Sequence, residues 1–278
     1  MKDVTPAIRA GFLLPLALCA GLQVLLLFVL GGRGFAWTFT SPLSAATMGA
    51  GYCGGLAMLV SALRLRRWVD VRVAYLSTLL LMILMLLVTL RYADQTHLGG
   101  GDIVAFGNAW GWLIVHLLAP VVGAVLLVVQ LRAPGRIPPR EFPRLWFTVL
   151  PIAVVAVIGT GVGLFALLRP AAAADAWPWP VSELDVSALG VWALVFGVGS
   201  ILAIREGDPD RQRAGAVNYL VAGTASVIAF VRYLGEVRWD NTLSWIYLVL
   251  MILLALTGAI GWLMAGPAER WRSPALAD

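Results

Sequence analysis

Charge is what this sequence most conspicuously lacks. Of its 278 residues only 13% are Asp, Glu, Lys or Arg, about half the roughly 25% of an ordinary soluble domain. That shortage excludes a water-soluble globule, because a core of this length cannot hide so many apolar side chains; lipid must be the solvent for most of the surface. Cysteine and histidine are also scarce, two of each. Cys19 and Cys53 both lie in apolar runs, with no CxxC spacing and no neighbouring histidine, and are expected as small buried apolar residues. No metal site and no cofactor is expected, and no Ser/His/Asp or Cys/His set of catalytic spacing is present. Lysine is limited to Lys2, the other nineteen cations being arginine.

What is present is apolar: 60% of the residues are hydrophobic and the mean hydropathy is +0.88. Eight segments of about 20 residues emerge, long enough for a hydrocarbon layer of about 30 Å. They are Ala10–Leu30, Leu43–Leu63, Val73–Leu90, Ala109–Leu131, Leu145–Leu168, Val186–Ile204, Ala216–Val231 and Leu243–Ala265. In lipid each segment must satisfy its own backbone, so they are helices; the runs lack a barrel strand's alternation and are twice its length. Leu18 is not the small residue that a lipoprotein signal places before its cysteine, and the run passes Cys19 to reach Leu30, so the first segment is read as a retained helix. The seventh is the shortest, carries Asn218, Thr224 and Ser226, and is expected inside the bundle.

The cations set the orientation. Fifteen lie at the N-terminus, in the loops after helices two, four and six, and at the C-terminus, among them Lys2, Arg9, Arg64, Arg66, Arg67, Arg72, Arg144, Arg211, Arg270 and Arg272. Five lie on the opposite side: Arg33, Arg91, Arg169, Arg232 and Arg238. The loops are short, so the cation-rich side is expected in the cytoplasm, with both termini, and the protein in a bacterial cytoplasmic membrane. The net charge of +5 does not point to nucleic acid, because the basic residues are spread through these loops rather than gathered in a patch.

An ordered series of matches divides the chain. Ala36-Trp37-Thr38-Phe39 matches Ala176-Trp177-Pro178-Trp179 at an offset of 140, while Gly49 and Gly190, Arg64 and Arg205, and Arg91-Tyr92 and Arg232-Tyr233 match at 141. Trp110 and Trp245, and Gly123 and Gly258, match at 135. An even number of helices per half makes this a parallel repeat. Residues 1–132 and 145–266 are the two four-helix halves, 133–144 a cytoplasmic linker and 267–278 a cytoplasmic tail. The stretch Phe35-Ala36-Trp37-Thr38-Phe39-Thr40-Ser41-Pro42-Leu43-Ser44, with Arg66-Arg67-Trp68 at the next turn, resembles uncharacterised multi-pass integral membrane proteins of actinobacteria and related high-GC bacteria. That resemblance covers nearly the whole chain and implies no activity.

Candidate sites gather on the outer side. Helix three ends in Arg91-Tyr92, followed by Asp94 and His97; its counterpart ends in Arg232-Tyr233, followed by Glu236, Arg238 and Asp240. On a continuing helix an acid three or four residues on shares a face with the arginine. The two ends could form a charged, aromatic-walled cup for a zwitterionic head group or small polar solute; equally they could be an interfacial belt of snorkelling arginine and aromatic rings. Trp37, Trp177 and Trp179 could be its lid, or part of the same belt. His116, inside helix four, has no second histidine at its depth, so haem is disfavoured against a hydrogen-bonded packing residue or a proton relay. Glycine faces at Gly51/Gly55 and Gly159/Gly163 suit close helix packing. The helix interiors contain no Asp, Glu, Lys or Arg, which disfavours an acidic transport relay.

The first expectation is therefore a non-catalytic membrane protein that binds a lipid, small amphipathic molecule or protein partner at its outer face. The alternative is a carrier with a path lined by Asn218, Thr224, Ser226 and His116, or an enzyme using Asp94, Glu236 or Asp240.

Overall fold

The computed structural model of the chain describes residues 1–140 and 146–265, without the side chains of 146–148. Leu145, Arg144, Arg270, Arg272, residues 141–144 of the expected linker and 266–278 lie outside the described residues. Among those described, the chain is helical and contains no strand. Eight helices are long and apolar enough to cross a membrane: α1 Pro6–Val29, α2 Pro42–Arg64, α3 Trp68–Arg91, α4 Ile103–Arg132, α5 Trp146–Leu168, α7 Glu183–Glu206, α8 Arg213–Arg232 and α9 Thr242–Met264. A short helix, α6 Pro170–Ala176, precedes α7. This is an all-α polytopic membrane protein.

The helix starts follow from their caps. Asp102 Oδ1 accepts from Val104 N and Ala105 N at 2.9 and 3.0 Å, which starts α4 six residues before the apolar run does. Ser182 closes a capping box with Asp185 on α7, Ser41 caps α2, and Asn241 caps α9. These four starts share one end of the bundle, here the upper end; the starts of α1, α3, α5 and α8 mark the lower end. In α1 a π-helical turn at Arg9–Leu13 precedes Pro15. The proline lacks an N–H and crowds the preceding turn, and the wider turn absorbs both.

One expectation is corrected. Helix α3 begins at Trp68, not Val73, so Asp70 and Arg72 lie within it, and Asp185 and Glu206 lie within α7. All three carboxylates are buried. Helix ends accept these charges because each has partners: Arg67 Nε donates to Asp70 at 2.8 Å, and Arg72 Nη2 to Glu206 at 2.7 Å. The apolar middles of the helices remain free of charge.

The packing pairs α1 with α2, α3 with α4, α5 with α7 and α8 with α9. Between the halves α2 lies along α8 and α3 along α7. Helix α2 is the most interior, with 67% of its apolar window buried, against 39% for α8, so the seventh span is less enclosed than its polar residues imply. Glycines allow the tightest crossings. A Cβ on Gly163 would stand 2.5 Å from Leu194 N, and one on Gly223 2.5 Å from Ala255 N. Without hydrophobic drive between helices in lipid, such approach is where van der Waals contact is gained.

Candidate functional site: a cavity beneath a braced rim

The upper rim is held by contacts that cross between the halves. Trp37 Nε1 donates to Asp185 Oδ1 at 3.2 Å, and Trp179 Nε1 donates to Ser44 Oγ at 2.9 Å. Ser44 and Asp185 occupy the third position of α2 and α7 respectively, so each half gives an indole N–H to the start of the other's second spanning helix. Asp185 also accepts from Thr40 N at 3.0 Å. Both tryptophans are fully buried. Trp179 thus makes toward α2 the contact that Trp37 makes toward α7. Trp177 is half-buried, and its Nε1 has no hydrogen-bond partner among the described residues.

The two Arg-Tyr ends behave in the same reciprocal way. Arg91 Nη1 donates to Leu167 O at 3.1 Å, at the end of α5, and Arg232 Nη1 to Phe28 O at 2.9 Å, at the end of α1. Each guanidinium lies over the next ring, 5.3 Å from Tyr92 and 5.1 Å from Tyr233. The helices stop at these arginines, so no continuing face brings the following acids alongside them. Asp94 and Asp240 are exposed. Glu236 accepts from Ser41 Oγ at 2.9 Å, and Tyr92 OH donates to Glu183 at 3.5 Å. His97 Nε2 lies 3.2 Å from Thr38 Oγ1, and Arg238 Nη1 donates to Asp175 O at 3.3 Å. Six of the nine rim residues (Arg91, Tyr92, His97, Arg232, Glu236 and Arg238) thus bond to other segments, and none of the nine lines either cavity described next.

Below the rim a cavity of about 650 Å³ is lined by all eight spanning helices, α5 and α9 reaching it through Pro151, Ile152, Thr257, Ile260, Gly261 and Met264. Its walls run from Asn108 near the upper end to Asp70, Arg211 and Gln212 at the lower end. An aromatic chain crosses it. Trp112 stacks on His116 with centroids 4.0 Å apart, and Tyr52 meets Trp192 edge-on at 4.9 Å. Trp37 packs behind Trp112 at 5.5 Å, which makes the expected lid tryptophan a second layer of the cavity roof.

Five residues of the wall each carry a buried polar atom with no hydrogen-bond partner among the described residues: Gln23 Oε1, Tyr52 OH, His116 Nε2, Trp192 Nε1 and Asn218 Oδ1. Such atoms are rare in folded proteins, and each costs about 1–3 kcal/mol if left unsatisfied. His116 Nδ1 lies 2.8 Å from Trp112 O, a carbonyl that can only accept, so Nδ1 carries the proton and the neutral ring presents Nε2 as an acceptor. Of the four residues expected to line a path, His116 and Asn218 reach this cavity. Ser226 reaches a smaller one of about 220 Å³ among α2, α5, α7, α8 and α9, and Thr224 is exposed.

The lower end is closed by an ion network that the charge pattern did not reveal. Arg67 pairs with Asp70 three residues on, and Asp208 with Arg211, whose Nε lies 3.4 Å from Asp208 Oδ2. Arg211 also approaches Glu206 at 3.7 Å and donates to Pro138 O and Pro139 O at 2.9 and 2.6 Å. The signal was present: Arg67 and Asp208, and Asp70 and Arg211, each stand 141 positions apart with opposite signs. Gln23, alone among apolar neighbours in the first run, was the corresponding signal for the cavity.

The fold and this cavity define a polytopic helical membrane protein with a pocket inside its spanning region. Compared with protein-family models, curated proteins and solved structures, the chain matches none.

Proposed function

We propose that this protein binds a lipid or small amphipathic molecule, without catalysis, in the cavity beneath its rim rather than on the rim itself. The observation that carries this is that five residues lining a 650 Å³ cavity each carry a buried polar atom without a partner among the described residues, the volume being in the range of about 300–1,000 Å³ usual for ligand pockets. A ligand that meets those atoms would offset their desolvation. The rim serves as a brace that holds the cavity roof.

The same proposal sets the protein in a bacterial cytoplasmic membrane with both termini inside, a placement that rests on the asymmetry of its arginines. A tandem duplication is supported by the exchanged contacts at positions 141 or 142 apart: Trp37 and Trp179, Ser44 and Asp185, Arg91 and Arg232. The resemblance to high-GC bacterial membrane proteins remains part of the proposal.

Native mass spectrometry of protein released from its own membranes tests the binding. One amphipathic molecule of defined mass should accompany each chain and be lost when His116→Leu and Asn218→Leu are combined, at unchanged membrane abundance. A chain with no bound mass, or a bound mass indifferent to that pair, defeats the reading. A carrier for the same molecule is a second reading, favoured because the cavity ends below on Asp70, Arg211 and Gln212, ion-paired and polar residues, rather than on packed hydrocarbon. Movement of the labelled molecule between leaflets of proteoliposomes separates carrier from binder.

A further inference from the structure

Helices α1 and α4 touch through the lower part of α1, Pro6–Leu13. Farther up, both contribute to the cavity wall: Leu22, Gln23 and Leu26 from α1, and Ile103, Gly107 and Gly111 from α4. This stretch faces outward, since Leu22 is 50% exposed and Ile103 is 83% exposed. Gly107 and Gly111 are one turn apart, and a Cβ at either would meet nothing within 4 Å. The polar link across the gap is a long one, Gln23 Nε2 donating to Asn108 Oδ1 at 3.4 Å. The upper part of the α1–α4 seam is therefore an opening toward lipid, notched by two glycines.

The wall behind that opening selects by charge. Its charged members are Asp70 and Arg211, both at the lower end, the first paired with Arg67 and the second with Glu206 and Asp208. Nothing among the described residues could neutralise a charged head held between the aromatic rings, and an unpaired charge there would be costly. The unpartnered atoms divide into acceptors (Gln23 Oε1, His116 Nε2, Asn218 Oδ1) and donors (Trp192 Nε1, with Tyr52 OH able to act either way). A hydroxyl, one donor and one acceptor on a single atom, answers both kinds.

Resting on the binding proposed above, we infer that the ligand is an uncharged, membrane-dissolved alcohol that passes sideways from the upper leaflet through the α1–α4 seam and sets its hydroxyl among His116, Tyr52 and Trp192. Its hydrocarbon lies along the apolar wall and the seam.

The test uses the full chain in phosphatidylcholine nanodiscs with four photoreactive probes of one chain length: a fatty alcohol, the matching fatty acid, the matching alkyl-trimethylammonium and the plain hydrocarbon. Crosslinked peptides are located by mass spectrometry. The alcohol is expected to label α1, α4 and the Trp192 peptide saturably, and the acid and ammonium to label none of them so. Gly111→Leu, which fills open space, should cut labelling of the Trp192 peptide about tenfold without lowering the melting temperature. His116→Leu should weaken the alcohol about tenfold, as expected for one lost buried hydrogen bond, and leave the hydrocarbon unchanged. Equal labelling by acid or ammonium overturns the ligand class. Undiminished Trp192 labelling in both Gly107→Leu and Gly111→Leu overturns the seam as the route, with the cavity still a binding site. If no probe labels the cavity saturably, the binding proposal falls as well.

Discussion

Trp37 and Asp185 are 148 positions apart and joined by a buried hydrogen bond of 3.2 Å, an indole N–H of the first half held by a carboxylate at the start of α7. The same carboxylate accepts from Thr40 N and Ser182 N, at 3.0 and 3.2 Å. Asp185 thus ties the loop before α2 to the start of α7. Asp185→Leu should lower stability by more than Trp37→Phe, because it strands three donors rather than removing one. The expected costs are about 1–3 kcal/mol for the indole and several kcal/mol for the carboxylate. Thermal unfolding in detergent measures both. Equal effects would mean that the acid is solvated rather than shared.

At the lower end, Arg211 is buried and bound to Glu206, Asp208 and the carbonyls of Pro138 and Pro139. Arg211→Met removes the buried cation that Glu206 and Asp208 share and should cost about 3–5 kcal/mol. Arg72→Met should cost less, since that side chain is 27% exposed and Glu206 keeps Arg211. Unfolding curves of the two variants give the comparison directly.

The rim arginines give the sharpest contrast with the cup expected from sequence. If Arg91 and Arg232 cap the ends of α5 and α1, Arg91→Ala with Arg232→Ala removes about 0.5–1.5 kcal/mol each and leaves the bound amphiphile in place. Loss of the bound mass with unchanged stability would return the site to the rim.

Glycine positions separate contact from space. Gly223→Ala forces a Cβ to 2.5 Å from the Ala255 backbone and should destabilise the α8–α9 pair by about 1–3 kcal/mol. Gly107→Ala meets nothing within 4 Å, and should be neutral or stabilise α4 by up to about 1 kcal/mol through helix propensity alone. Melting temperatures of opposite sign are the expected result.

Orientation is open to a direct check. Reporter fusions at each end should be active only as cytoplasmic reporters, and a cysteine placed at Asp94 or Asp240, both exposed on the upper face, should react with a membrane-impermeant thiol reagent added outside intact cells. Labelling only after lysis would invert the orientation.

Much of the fold was legible because lipid imposes a local rule: each span must satisfy its own backbone, so hydropathy alone located all eight helices. Their limits shifted where a short-range contact outweighed hydropathy, as at α4, which Asp102 starts six residues early, and at α3, where Arg67 lets Asp70 enter the first turn. The rim residues were legible as chemistry but not as geometry. Pairing of the acids with Arg91 and Arg232 on a continuing helix was one of two readings beside an interfacial belt; in the structure these helices stop at the arginines, which donate to carbonyls on helix ends far away in sequence.

By itself, then, the sequence determined that the chain is a bundle of apolar helices, because hydrophobic length and cation placement act within segments of about 20 residues. Only the tertiary structure decided which polar groups meet. Gln23, Tyr52, His116, Trp192 and Asn218 belong to five different helices, and a shared cavity wall is a property of how those helices cross, which no single stretch of residues encodes.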